Sequence, residues 1–276
     1  INDEEVISKL IKSNSFDLLM HFAGFIQVEE SVKYPQKYFD NNTENATKLF
    51  ETCKNNGLNK IVFSSTAAAY GSVSENKLID ENTNLNPQNP YAESKIKTEN
   101  FLFENKHDYK FIILRYFNVA GADKKLRSGQ ISKRSTHLIK ILSEVVVGKR
   151  DHIEIFGNDY NTPDGTAIRD YIHVSDLADI HLEVAKYLLE SSESNLFNCG
   201  YGNGFSVLDV INTANKISED KIDYKFSNRR DGDVEQLIAD TSKILKHIDW
   251  RPKYNDLSEI INSSIKWEEK INESNT

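Results

Sequence analysis

Tyr91-Ala92-Glu93-Ser94-Lys95 sets a phenol and an ammonium four residues apart. On a helix such residues share a face, and a nearby cation favours the phenolate. A free tyrosine titrates near pH 10, so work as a base near neutrality needs that kind of help. The spacing alone also describes an ordinary exposed helix pair, and its surroundings must decide. Ser64-Ser65-Thr66 closes the apolar run Lys60-Ile61-Val62-Phe63, and His21-Phe22-Ala23-Gly24 closes Leu18-Leu19-Met20. Open parallel sheets bind ligands beyond the carboxyl ends of their strands, and Gly24 permits close backbone approach there. The Thr66 hydroxyl, Gly24 and the Tyr91 helix are therefore expected to converge on one crevice.

The elements that must position these groups are legible as alternating apolar runs and helical periodicities. Strands are expected at 18–22, 60–65 and 111–115. Helices are expected at 41–55, with Ala46, Leu49, Phe50 and Cys53 on one face, and at 90–104, with Pro90 in the first position. Strand and helix in alternation describe a parallel sheet flanked by helices. Farther on, helices are expected near 135–148, 174–190, 206–217, 240–247 and 256–271, and short strands near 153–156 and 195–199. Asn198 to Gly204 has the look of a phosphate loop but lacks GxGxxG spacing. With Ser206 as an N-cap behind it, it reads as a strand-to-helix turn.

The 276 residues carry 34 Lys+Arg against 42 Asp+Glu, a net charge of −8, the wrong sign for a protein whose main partner is nucleic acid. The basic cluster Lys124-Lys125-Leu126-Arg127 with Lys133-Arg134 reads as a solvated loop. Two cysteines, Cys53 and Cys199, lack CxxC spacing, and the seven histidines form no HxxxH or HExxH, so neither a disulfide framework nor a zinc site is expected. No apolar run approaches the ~20 residues of a membrane span. Cytoplasmic residence is the default expectation. The chain opens at Ile1 and its single methionine is Met20, from which a missing start is expected.

Taken in order, these segments resemble the extended short-chain dehydrogenase/reductase superfamily and, within it, the UDP-glucose 4-epimerases. The likeness rests on His21-Phe22-Ala23-Gly24, Tyr38-Phe39-Asp40-Asn41-Asn42, Phe63-Ser64-Ser65-Thr66 through Tyr70-Gly71, Pro90-Tyr91 through Lys95, and Arg115-Tyr116-Phe117-Asn118. It continues through Ile155-Phe156-Gly157-Asn158-Asp159-Tyr160, Asp164-Gly165-Thr166, Arg169-Asp170-Tyr171-Ile172-His173-Val174 and Arg229-Arg230-Asp231-Gly232-Asp233. It implies a Rossmann-like, doubly wound α/β sheet at 1–118 binding NAD. A smaller α/β domain at 119–276 would bind a UDP-sugar, with elements near 169–190 packing back on the first. By resemblance Tyr91 is the base, Lys95 binds the nicotinamide ribose and lowers the Tyr91 pKa, and Thr66 hydrogen-bonds the sugar 4-hydroxyl. Phe22, Ala23, Gly24, Asn41, Ser64, Tyr91, Lys95 and Phe117 match NAD-contacting positions. Asn118, His137, Leu138, Phe156, Arg169, Arg230 and Asp233 match UDP-sugar positions, and the arginines have the forked donors that suit a diphosphate. The implied activity is NAD-dependent interconversion of UDP-glucose and UDP-galactose through a transient 4-keto sugar, by a homodimer.

Some positions depart from the family pattern. Ile26 stands where many members carry a lysine, Lys140 where a proline is usual, and Leu237 where the space around the sugar C2 substituent is set. No Gly-rich strand-to-helix turn precedes Phe22, and 1–12 reads as a short helix using Val6, Ile7, Leu10 and Ile11. Roughly two βα units, about 60 residues, are expected to be missing, leaving the chain unable to hold NAD or turn over substrate. A sugar-nucleotide 4,6-dehydratase is the nearest rival, but its later elimination needs an acid and a base after Thr66, where Ala67-Ala68 stand. An epimerase for an N-acetylhexosamine, pentose or uronate fits the same motifs. So does a non-catalytic sugar-nucleotide-binding protein, against which the intact Tyr91 and Lys95 speak.

Overall fold

Residues 61–63 and 111–114 alternate between two cores, so the strands that carry them are buried on both sides. The computed structural model describes residues 1–73, 78–132, 135–218, 221–230 and 232–273; Lys133, Arg134 and Asp231 lie outside them. In chain order the elements begin with α1 (Glu4–Ser13), β1 (Leu19–His21), α2 (Val28–Lys33), α3 (Pro35–Tyr38), a π-helical turn (Phe39–Glu44) running into α4 (Asn45–Asn55), β2 (Lys60–Thr66) and a 3-10 turn (Ala67–Tyr70). They continue with α5 (Pro90–Glu104), β3 (Lys110–Tyr116), β4 (Asn118–Ala120), α6 (Leu138–Val146), β5 (Ile153–Phe156), β6 (Ile168–His173) and α7 (Val174–Ser191). The last are β7 (Asn195–Cys199), β8 (Gly204–Ser206), α8 (Val207–Ala214), β9 (Tyr224–Ser227), β10 (Gln236–Leu237), α9 (Ser242–His247) and α10 (Leu257–Glu273).

Strands β1, β2, β3 and β7 form one parallel sheet in that order, with His21 opposite Phe63, Ser65 opposite Arg115 and Leu114 opposite Phe197. Ile61, Phe63, Phe111 and Ile113 join Leu49 and Phe50 of α4 and Leu102 of α5 in one core. Val62, Ile112 and Leu114 face the other way, into a core shared with Ile180, Val184 and Leu188 of α7. Helices on both faces of a parallel sheet define the doubly wound α/β class. Both α7 and β7 come from the second half of the chain. Cys53 and Cys199 sit in different cores and both are free thiols.

A second layer is built around β6, whose Ile168–Arg169 pair in parallel with β10 and in antiparallel with β8, while Tyr171–His173 pair in parallel with β4. Strands β5 and β9 form a separate parallel pair. Helix ends follow local chemistry. Asn89 caps α5 by accepting from the Ala92 amide at 2.9 Å ahead of Pro90. Ser206 and Asp209 form a reciprocal capping box on α8. Ser206→Ala is expected to lower stability by about 1 kcal/mol, read as a shifted urea midpoint; an unchanged midpoint would refute the capping role.

Three expectations change in detail. The helix at 41–55 opens as a π turn, Phe39–Glu44, rather than as regular α-helix. The helix near 135–148 begins only at Leu138, leaving His137 as its cap. In α1, Ile7 and Ile11 pack on the α4 core, but Val6 and Leu10 are exposed.

Candidate active site

The end of β2 and one face of α5 make the centre of the site. Thr66 Oγ1 accepts from the Ala68 amide at 3.1 Å, starting the 3-10 turn, and its hydroxyl meets the Tyr91 phenol. The Lys95 ammonium donates to the Ser64 carbonyl at 2.7 Å and lies 4.8 Å from the centre of the Phe63 ring. Tyr91 and Lys95 share a face as expected, yet the ammonium is directed to the strand end and not to the phenol. Burial raises the Tyr91 pKa, and the Thr66 hydrogen bond pulls it back. Burial also lowers Lys95 to about 8, against the pull of Glu99.

On the β1 side, a Cβ added to Gly24 would stand 3.2 Å from Asn42 Oδ1 and 3.5 Å from Lys95 Nζ, so the backbone passes close to both. Asn42 is buried; it accepts from the Phe25 amide at 2.8 Å and donates to Phe25 O at 2.9 Å and Ser94 Oγ at 3.1 Å, tying this loop to α5. Asn41 donates to Asn42 Oδ1 at 3.0 Å. Both asparagines sit in the π turn, a kind of irregularity common at functional sites. Phe22 is 58% exposed, with its ring 4.8 Å from that of His181. Ala23 is also exposed.

A cavity of about 440 Å³ opens beside Thr66 and Tyr91, walled by Phe117, Asn118, Leu237, His137, Leu138, Arg169, Arg230 and Asp233. An adjoining cavity of about 570 Å³ shares the last five of these with Asn118 and adds Phe156. The Arg230 guanidinium lies 4.5 Å over the Phe156 ring, and its Nε donates to Asp233 at 3.0 Å. Arg169 donates to the Ile168 and Glu235 carbonyls at 2.9 and 3.4 Å and, among the described residues, pairs with no carboxylate. Thr66 and Tyr91 therefore line the same space as the two cationic side chains Arg169 and Arg230.

Of the residues singled out from sequence, Phe22, Ala23, Gly24, Asn41, Ser64 and Lys95 line neither cavity: the first three follow β1, Ser64 lies near the end of β2, Asn41 is in the π turn and Lys95 is on α5. Sequence reading missed the Tyr116–His181 pair. The Tyr116 phenol is 2.6 Å from His181 Nε2, and His181 Nδ1 is 2.8 Å from Leu177 O, which makes Nδ1 the donor and Nε2 the acceptor. Tyr116 lines the first cavity and also meets the Ser64 hydroxyl. Its place just before Phe117 was a usable signal; nothing local points to His181 on α7.

A doubly wound parallel sheet with a hydroxyl, a tyrosine and a lysine at the carboxyl end of one strand is the architecture of the extended short-chain dehydrogenase/reductases. A family model described as GDP-mannose 4,6 dehydratase matches residues 1–263. The UDP-glucose 4-epimerase of Azospirillum brasilense is 44% identical over 276 residues, 99% of this chain and 79% of the relative. The solved UDP-glucose-4-epimerase of Stenotrophomonas maltophila, with bound NAD and formylated UDP-arabinopyranose, matches with a TM-score of 0.95 at 30% identity, covering 99% of this chain and 82% of that one. The UDP-Glc/GlcNAc 4-epimerase of Campylobacter jejuni matches at 45% identity with a TM-score of 0.81, covering 98% and 82%. The chain belongs to the UDP-glucose 4-epimerase family within those reductases.

Proposed function

We propose that the site epimerises C4 of UDP-hexoses, interconverting UDP-glucose and UDP-galactose through a 4-keto sugar. The observation that carries this is the meeting of Thr66 and Tyr91 at one end of a cavity whose other end presents Arg169 and Arg230. Tyr91 takes the 4-hydroxyl proton, Thr66 orients that hydroxyl, and the two arginines hold the diphosphate. Phe156 packs on the uracil beneath Arg230, and Asp233 accepts from the ribose. Ala67 and Ala68, next after Thr66, have no proton to move, which disfavours a dehydratase.

NAD, when bound, supplies the hydride acceptor and donor at C4. The residues present fit its nicotinamide-ribose end: the close passage at Gly24, the Lys95 ammonium, the exposed Phe22 ring and Phe117. Among the described residues, the N-terminus of α1 does not supply a pyrophosphate cradle. The N-terminus of α1 is capped by the Asp3 carboxylate, followed by Glu4 and Glu5, and repels an anion. The 276-residue polypeptide by itself is therefore proposed to hold NAD weakly and to be inactive as isolated, so that turnover is read only with NAD loaded. A homodimer through α4 and α5, as the resemblance implies, and residence in the cytoplasm complete the reading; Phe103 on α5 is exposed.

The test is a turnover assay on NAD-loaded protein with UDP-galactose, UDP-N-acetylgalactosamine and UDP-arabinose, alongside NAD released from the polypeptide by denaturation and read by absorbance. UDP-glucose formation without net NADH is expected. No turnover of any UDP-sugar by folded, NAD-loaded protein overturns the epimerase reading, and stoichiometric NAD on the polypeptide overturns the weak-binding reading. The 45% identity to an enzyme named for both Glc and GlcNAc supports a second reading in which N-acetylhexosamines are also substrates.

A further inference from the structure

Three consecutive residues ending β2 meet three residues of α5 spaced by four. Lys95 donates to Ser64 O at 2.7 Å, the Ser65 hydroxyl donates to the Glu99 carboxylate, and the Thr66 hydroxyl meets the Tyr91 phenol. Positions 91, 95 and 99 lie one above another on a helix, so the ladder sets both the rotation and the height of α5 against the strand. Glu99 is 1% exposed and also takes a two-pronged ion pair from Arg115, Nε at 3.1 Å and Nη2 at 2.5 Å. Arg115 is the register partner of Ser65 on β3; its guanidinium lies 4.8 Å over the Tyr70 ring, and the Tyr70 hydroxyl donates to Asn198 of β7 at 2.7 Å. A buried polar network thus runs from α5 across β2 and β3 to β7, beneath the reactive pair.

Stability alone gives little reason for such a network. A buried ion pair replaced by packed apolar groups is often neutral or stabilising, whereas removal of one partner is costly. We propose that Glu99 is a positioning residue for Tyr91 and Lys95: it locks α5 to the end of β2 and supplies the counter-charge that keeps buried Lys95 an ammonium. The proposal rests on the reading of Tyr91 and Lys95 as the reacting pair. The groups facing Lys95 support it. His21 of β1 is held neutral by burial, which lowers its pKa to about 4. The π turn offers the neutral Asn42, and Arg115 is engaged with Glu99. Glu99 is the carboxylate that raises Lys95 against burial, and Lys95 still reaches only about 8.

The experiment is an NMR titration of the 276-residue polypeptide carrying ε-¹³C-lysine, with the Lys95 signal assigned through Lys95→Arg and no nucleotide present. Wild-type Lys95 is expected to titrate near 8. Glu99→Gln is expected to weaken its proton affinity by about tenfold or more, one unit or more downward. Glu99→Gln leaves Arg115 buried without its partner, so the double variant Glu99→Gln/Arg115→Met is titrated as well and is expected to show a fall in the same direction, smaller because the Arg115 cation leaves with the carboxylate. A merely structural Glu99 would lower the melting temperature and leave the Lys95 midpoint in place. An unchanged or raised midpoint in either folded variant overturns the proposal, as does a wild-type Lys95 already neutral at pH 7. No sugar nucleotide enters the measurement, so failure of the epimerase reading in the turnover assay stays distinguishable from failure here.

Discussion

Tyr91→Phe in NAD-loaded protein is expected to lower kcat on UDP-galactose by about 10³-fold, within the range general acid–base catalysis contributes, while UDP affinity stays within about twofold. The ring and its edge contact with Tyr38, centroids 6.5 Å apart, survive the change, and only the oxygen that meets Thr66 is lost. UDP binding, proposed to rest on Arg169 and Arg230, should not notice. A pH profile adds a second check. In the proposed mechanism Tyr91 acts as the phenolate, and burial raises its pKa above the usual 10, so wild-type kcat should climb with rising pH. In the same proposed mechanism Lys95 acts as the ammonium and loses its proton through about 8, so the climb should stop there. Tyr91→Phe should show no climb below pH 8. A loss under tenfold, or a wild-type profile that falls between pH 6 and 8, would remove Tyr91 from the role of base.

Arg169→Met is expected to weaken UDP binding by roughly 30- to 150-fold, the about 2–3 kcal/mol that hydrogen bonds from a charged donor contribute. Its guanidinium is anchored on two backbone carbonyls and has no carboxylate partner among the described residues, so its charge is left for an anion; burial lowers its pKa, and Asp233 opposes that. Arg230 starts from a different state, already paired with Asp233 and stacked on Phe156. Binding must loosen that pair, so Arg230→Met is expected to cost only about tenfold. Calorimetric titration of the 276-residue polypeptide with UDP measures both without any need for NAD. A change below fivefold for Arg169→Met would place the diphosphate elsewhere.

Much of the fold was legible because it is local. Asn89 and Pro90 start α5 where a cap followed by proline should, and the uninterrupted apolar runs at 61–63 and 111–114 can form only strands buried on both faces. Strand β6 was not legible. Arg169 and Asp170 interrupt its apolar pattern, and it survives because its two halves pair with different partners, β10 and β8 on one side of the residue order and β4 on the other. Asp170 is buried there, accepting from the amides of Tyr201, Gly202 and Ala239, which no periodicity reveals. The π turn at Phe39–Glu44 was hidden for a related reason: it runs without a break into α4, and the Asn42 hydrogen bonds to Phe25 and Ser94 account for it only in three dimensions.

The amino-acid sequence by itself determined the chemistry available to this protein: a tyrosine and a lysine one helical turn apart, a threonine at a strand end, and arginines suited to a diphosphate. It also determined the parallel sheet on which they stand, since side-chain alternation and helix caps depend on near neighbours. Only the tertiary structure decided where each charge is directed. Lys95 turns to Ser64 and not to Tyr91 because β2 presents a carbonyl at that height. His181 reaches Tyr116 because α7 crosses the sheet. Glu99 faces two cations because Arg115 lies beside Ser65 in the β2–β3 register. Those partners lie far apart along the chain, and the free energy that joins them comes from desolvation and close packing, which local spacing does not encode.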